Sequence, residues 1–248
     1  LDAGQPLYID SFATLDAVTV NGDIDLAQTY GAELNVINGL TLNGTIRVGS
    51  TDGSTYAHVY FYDDEILGGQ GEILLGGNSA NALIVWTENS TLTVGPQFTI
   101  HGNRGSLQTR YGTDTVINQG TITADGGGLI NIYGAGMFQN QSTLSATGVN
   151  SVISESMVNW SNSSQINASA NGTVVVYNTG TNTNAGSITA TGGLISLPPG
   201  AATIAPLRVL APSALVLGTG LLVGGLWLSA GRRQRRAQGL VLLLGADG

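Results

Sequence analysis

Residues 117–128 read INQGTITADGGG, and the cadence returns as QNQSTLSATGVN at 139–150, SNSSQINASANG at 161–172 and TNAGSITATGG at 183–193. Each copy offers an Asn, two small or amide residues, a hydroxyl or amide, an aliphatic residue and, two places on, Ala. With the aliphatic residue as anchor, Ile100, Ile122, Leu144, Ile166 and Ile188 follow at intervals of 22. Upstream, NGDIDL, NGTIRV and QGEILL supply Ile24, Ile46 and Ile73, and the intervals there are 22, 27 and 27. A near-constant period of this length is the mark of a stacked repeat. Gly, Asn, Thr and Ser disfavour helices, and the Leu-x-x-Leu-x-Leu pattern of leucine-rich repeats is missing. Short strands remain, written as Val, Ile, Thr and Tyr runs between Gly and Asn.

Strand alternation then sets the register. If the anchors point inward, their neighbours point out. The preceding column reads Asp23, Thr45, Glu72, Thr99, Thr121, Thr143, Gln165, Ser187. The following column reads Asp25, Arg47, Leu74, His101, Thr123, Ser145, Asn167, Thr189, polar except at Leu74. Two places after the anchor the chain faces inward again, with Leu26, Val48, Leu75, Gly102 and then four Ala. Four places before it stand Asn118, Asn140, Asn162 and Asn184. Identical stacked amides can hydrogen-bond along a stack axis. Second strands such as ALIVW, LINIY and TVVVY, and third ones such as DAVTV, GLTLN and STLTV, complete each turn. The expected architecture is a right-handed, three-sided parallel β-helix of about eight turns of 22–27 residues, filling residues 1–200. STDGSTYAH and GGNSAN are the expected bulging loops of the two longer turns.

The recurrent N-x-G-T-I-x-A pattern resembles the repeats of bacterial secreted and surface β-helix proteins, the filamentous-haemagglutinin-like and autotransporter-passenger group. That resemblance implies a β-helix and an exported setting, and it carries no catalytic residue with it.

Composition agrees with a regular polar rod. Only 10% of the 248 residues are charged, Gly reaches 37, and Cys is missing, so disulfides and thiolate metal sites are excluded. Residues 1–207 hold three Arg against fifteen acids, a net of −12, whereas 208–248 hold five Arg against one Asp. An acidic body repels nucleic acid, whose binding rests on phosphate neutralisation.

After LISLPPG the repeat pattern stops. Residues 201–208 read as a linker, and Val209–Gly231 is a run of 23 residues without a charge, expected to form a hydrophobic helix. About 20 apolar residues span a bilayer. Arg232, Arg233, Arg235 and Arg236 follow at once, inside a tail of residues 232–248 expected to stay cytoplasmic. The segment is similar to the PEP-CTERM sorting signal of Gram-negative bacteria: a Pro motif, here Ala211, Pro212 and Ser213, a Gly-rich apolar helix, then an Arg cluster. That resemblance implies export, at least transient membrane anchoring and recognition by a sorting protease. Export requires a leader. None stands ahead of Leu1, so the sequence is expected to be a mature or partial chain.

Chemistry-bearing residues are few. Asp23 and Asp25 share a strand, and paired carboxylates serve glycosidases, but an Asp25–Arg47 ion pair across neighbouring strands is the simpler expectation. Asp63, Asp64 and Glu65, with Asp52, form the one dense acidic group, expected as a solvated loop. His58 and His101 lack metal-ligand spacing. Tyr56, Tyr60, Phe61, Tyr62 and Trp86 crowd the long turns; core filling or capping is their expected role, sugar stacking the alternative. No nucleophile elbow and no phosphate-binding loop is written here. The chain is therefore expected to be a non-enzymatic structural or adhesive surface protein without a cofactor. A carbohydrate-binding or carbohydrate-active β-helix is the alternative, and extracellular polysaccharide the candidate partner besides the membrane.

Overall fold

The computed structural model describes residues 4–197 and the backbone of two further strands, Leu207–Leu210 and Ala214–Leu217. The described chain is a parallel β-solenoid of about eight turns, with its strands in two sheets. The first stack holds the anchor strands, from Leu7–Tyr8 and Ile24–Asp25 through Thr121–Ala124 to Ser187–Thr191. The second and third stacks share the other sheet. Strands such as Ala32–Leu42 and Val152–Asn162 run through both and bend where one stack gives way to the next. Asn38, Asp63 and Asn89 occupy that corner with φ of 59°, 59° and 64°. Short side chains that bond locally are the ones that tolerate this left-handed region.

The anchor column lies in register from end to end: Ile24 opposes Ile46, Ile46 opposes Ile73, and so on through Ile100, Ile122, Leu144, Ile166 and Ile188. All eight are buried. Leu26, Val48 and Leu75 sit inward beside them and give way to Gly102, Ala124, Ala146, Ala168 and Ala190. Interiors keep a nearly constant density, so the smaller side chains must be offset. The third stack supplies the bulk: its column Leu92, Val116, Phe138, Trp160 turns aromatic in the coils of Ala146 and Ala168, and all four are buried.

The two longer turns bulge where expected, at Gly49–Tyr56 and Gly76–Asn81, between strands ending at Val48 and Leu75 and those starting at Ala57 and Ala82. Two expectations change. Asp25 does not face out toward Arg47. It is 6% exposed and accepts hydrogen bonds from the Ala27 N–H (2.7 Å) and the Gln28 amide (2.9 Å), closing its own turn. Arg47 pairs with Asp23 instead, at 3.0 Å.

The second change concerns the junction with the C-terminal segment. Leu207–Leu210 adds to Ser187–Thr191 and Ala214–Leu217 adds to Leu194–Leu197, both parallel. The linker and the start of the expected helix are therefore strand at these positions. An open sheet edge is a template for any extended aliphatic segment, and LRVL and ALVL supply two. The rest of the expected 209–231 helix, with Pro212 and Arg232, Arg233, Arg235 and Arg236, lies outside the described residues. Among the described residues no helix is long and apolar enough to cross a membrane.

Candidate functional site

Two outer features and one inner ladder carry the polar chemistry. The ladder is inside. Asn118 donates through Nδ2 to Asn140 Oδ1 (2.8 Å), Asn140 to Asn162 (2.7 Å) and Asn162 to Asn184 (2.7 Å). Asn118 and Asn140 also donate to the carbonyls of Thr143 and Gln165, both at 2.9 Å. The column begins lower down as Leu40, Leu67 and Val94 and changes to amide at Asn118. That switch leaves Asn118 Oδ1 buried above Val94 with no donor. The ladder is thus a structural device with one unpaired end.

The first outer feature is a groove where the third stack turns into the first. It is about 360 Å³ in volume. Asn43, Gln70 and Gln97 line one bank and Thr45, Glu72 and Thr99 the other, above the backbone of Gly44 and Gly71. The glycines are needed: a methyl on Gly44 would run into the Gly22 carbonyl, and one on Gly71 into Leu42. Glu72 is held in place. Its Oε1 accepts from the Thr45 hydroxyl at 2.8 Å, and its Oε2 lies 3.3 Å from His101 Nε2, off the ring N–H direction. His101 Nδ1 contacts Asp125 Oδ2 at 3.1 Å. An acid–imidazole–acid chain therefore ends at the groove wall. Spacing along the chain did not show it, because Glu72, His101 and Asp125 come from three successive coils. The register would have: Glu72 precedes one anchor and His101 follows the next.

The second outer feature is a row of rings across the long turns. Tyr30 and Tyr56 meet edge-to-face at 4.6 Å, as do His58 and Tyr60 at 5.8 Å and Tyr60 and Trp86 at 5.1 Å, while Tyr56 and His58 are tilted at 5.1 Å. Arg110 lies 4.0 Å over the Trp86 ring. Burial, and then the nearby Glu33 carboxylate, push the Tyr60 phenol above its ordinary range. Edge-to-face pairs are each worth about 0.5–1.5 kcal/mol, so the row fastens the loops to the coil. Tyr30 projects furthest, at 69% exposed, while Phe61 is wholly core.

The acidic group does not converge. Asp64 accepts from the Thr91 N–H at 2.8 Å, and Asp52 closes its own loop through Ser50 and Ser54, whose bonds hold its carboxyl down at about 2. Glu65 turns inward, 1% exposed, and accepts from the Gly39 N–H at 2.6 Å; burial raises its pKa. No group of three potential metal ligands forms among the described residues.

Glu155 was not singled out by sequence. It stands in the central inward column of the second stack, between Ile132 and Val176, and is fully buried. Burial pushes its carboxyl up to about 8, against the opposing bonds from the Met157 N–H (2.9 Å) and the Asn178 amide (3.0 Å). The alternation in VISESM, with Ile153 and Met157 inward, was its signal. Comparison of the chain with protein-family models, with curated proteins and with solved structures finds no match.

Proposed function

We propose that the chain is a non-enzymatic, exported structural or adhesive protein of the cell surface or extracellular matrix. It acts through the long outer faces of a right-handed, three-sided solenoid. The observation that carries this reading is the outer surface: hydroxyl and amide columns continue from coil to coil over a mainly apolar core. Thr121, Thr143, Thr123 and Ser145 keep register on the outer side of the first stack, and Gln119 donates to Gln141 beside them. Repetition of one weak polar contact along a rod suits avidity rather than turnover.

The C-terminal sequence supports the exported setting. The charge-free 209–231 run and Arg232, Arg233, Arg235 and Arg236 fit membrane attachment and recognition by a sorting protease, as in PEP-CTERM proteins of Gram-negative bacteria. The repeat pattern fits the filamentous-haemagglutinin-like and autotransporter-passenger group. Attachment has a structural consequence. With Ala214–Leu217 in a strand, Gly218–Gly231 leaves 14 residues, which as a helix reach about 21 Å. A bilayer core is ~30 Å thick, so a spanning helix needs about six residues more and must draw Ala214–Leu217 out of its strand.

The test is fractionation of the full chain, produced with an export leader in a Gram-negative host. The reading expects it in the membrane or surface fraction. A soluble, unprocessed cytosolic product overturns it. A carbohydrate-binding role is the second reading, favoured by the groove around Glu72.

A further inference from the structure

We infer that the groove over Gly44 and Gly71 binds a linear, uncharged polysaccharide laid along the rod axis. The inference rests on the adhesive reading and names its ligand class.

The argument starts from unspent hydrogen-bonding capacity. In six successive coils the residue three before the anchor carries an amide: Asn21, Asn43, Gln70, Gln97, Gln119 and Gln141. At both ends of this column the amides satisfy one another. Asn43 donates to Asn21 at 2.8 Å, and Gln119 to Gln141 at 3.2 Å. In the middle they do not. The exposed side chains of Gln70 and Gln97 and the hydroxyl of Thr99 make no hydrogen bond among the described residues, and these three line the groove. Donors and acceptors thus stand one coil apart, about 4.8 Å, on both sides of a glycine floor.

Glu72 adds a fixed acceptor. The Thr45 hydroxyl holds one of its oxygens and His101 stands 3.3 Å from the other, yet the side chain stays 42% exposed. A positioned carboxylate forms stronger, charge-assisted bonds to hydroxyl donors than a neutral acceptor does. Its charge also selects. Against a body of net −12 over residues 1–207, polyuronates and sulfated glycans are repelled, so the fitting ligand is uncharged. The groove walls carry no aromatic or large aliphatic anchor, the feature on which protein partners depend. A chain of pyranose rings matches what remains, offering hydroxyls at every ring to amides at every coil.

The experiment is affinity electrophoresis of the full chain through gels containing soluble neutral polysaccharides (β-glucan, galactomannan, xylan, dextran) or acidic ones (alginate, polygalacturonate). Three variants accompany it: the double change Gln70→Ala with Gln97→Ala, Glu72→Gln, and Trp86→Ala on the other face. Retardation by a neutral polysaccharide is expected, weakened at least about tenfold in the double variant, weakened in Glu72→Gln and unchanged in Trp86→Ala. The groove residues are exposed, so unfolding midpoints should stay those of the parent. Retardation only by acidic polysaccharides, or by none, overturns the inference. Retardation that survives the double variant but is lost in Trp86→Ala also overturns it, while leaving the adhesive reading intact.

Discussion

Replacing Asn140 with Leu breaks the amide ladder in its middle, and replacing Asn118 with Leu shortens it from its end. The parent already carries one orphan acceptor, Asn118 Oδ1. In Asn118→Leu the orphan moves up one coil to Asn140 Oδ1, which loses its donor at 2.8 Å, so the number of unpaired amide oxygens is unchanged. In Asn140→Leu the original orphan stays, and Asn162 Oδ1 loses its 2.7 Å donor and is left with one longer hydrogen bond, 3.3 Å, from the Ser164 N–H. An unsatisfied buried polar group costs about 1–3 kcal/mol. The middle substitution should therefore destabilise more than the end one, by up to about that much. For a chain of this size each kcal/mol moves Tm by about 2–4 °C, which gives a gap of up to roughly 12 °C. Paired thermal and urea melts followed by circular dichroism measure it. Equal Tm values for the two variants, or a lower one for Asn118→Leu, would refute the orphan-counting argument.

Further outcomes follow from the same structure. Folding raises the Glu155 pKa above its ordinary value, so this group's contribution to stability is largest below about 4.5, declines as pH rises toward about 8 and is flat beyond. The slope is at most about 1.4 kcal/mol per pH unit; Glu155→Gln should flatten it, and urea melts between pH 5 and 8 that run parallel for parent and variant would refute that. A Gly120→Ala methyl would run into the Phe98 and Gly95 carbonyls and should cost on the order of 1–3 kcal/mol, read as a shifted urea midpoint. Arg47→Ala removes a half-exposed ion pair and should change stability by no more than about 1 kcal/mol. A chain ending at Leu217 should remain soluble and folded, whereas one ending at Ala205 bares the edges of Ser187–Thr191 and Leu194–Leu197 and should aggregate more readily; sedimentation of both distinguishes them.

How far the sequence could be read depended on whether neighbouring coils repeat. Where Ile122, Leu144 and Ile166 recur with identical spacing, inward and outward follow from alternation, and the anchor column and Asn ladder were legible residue by residue. Asp25 was misplaced because the strand there is only two residues long, Ile24–Asp25. A side chain at a strand end answers to its turn, and Asp25 caps Ala27 rather than facing Arg47. Glu65 and Glu155 were readable in principle, since Leu67 and Met157 fix their inward phase. Composition argued the other way, because carboxylates are seldom buried. The groove was hidden for a different reason. It belongs to no motif and exists only where three coils bring Asn43, Gln70 and Gln97 together above bare glycine. The strand at Ala214–Leu217 came from a run whose length and lack of charge suit a helix equally well, and Leu207–Leu210 straddles the start of that run at Val209.

The central claim is that this rod works outside the cell, and protease shaving of intact cells tests it most directly. An epitope placed in the exposed turn at Val149–Asn150, where Val149 is 63% exposed, leaves the groove and core untouched. The account predicts that added protease removes the epitope from intact cells while a cytoplasmic marker survives. An epitope that disappears only after the cells are broken open would contradict it.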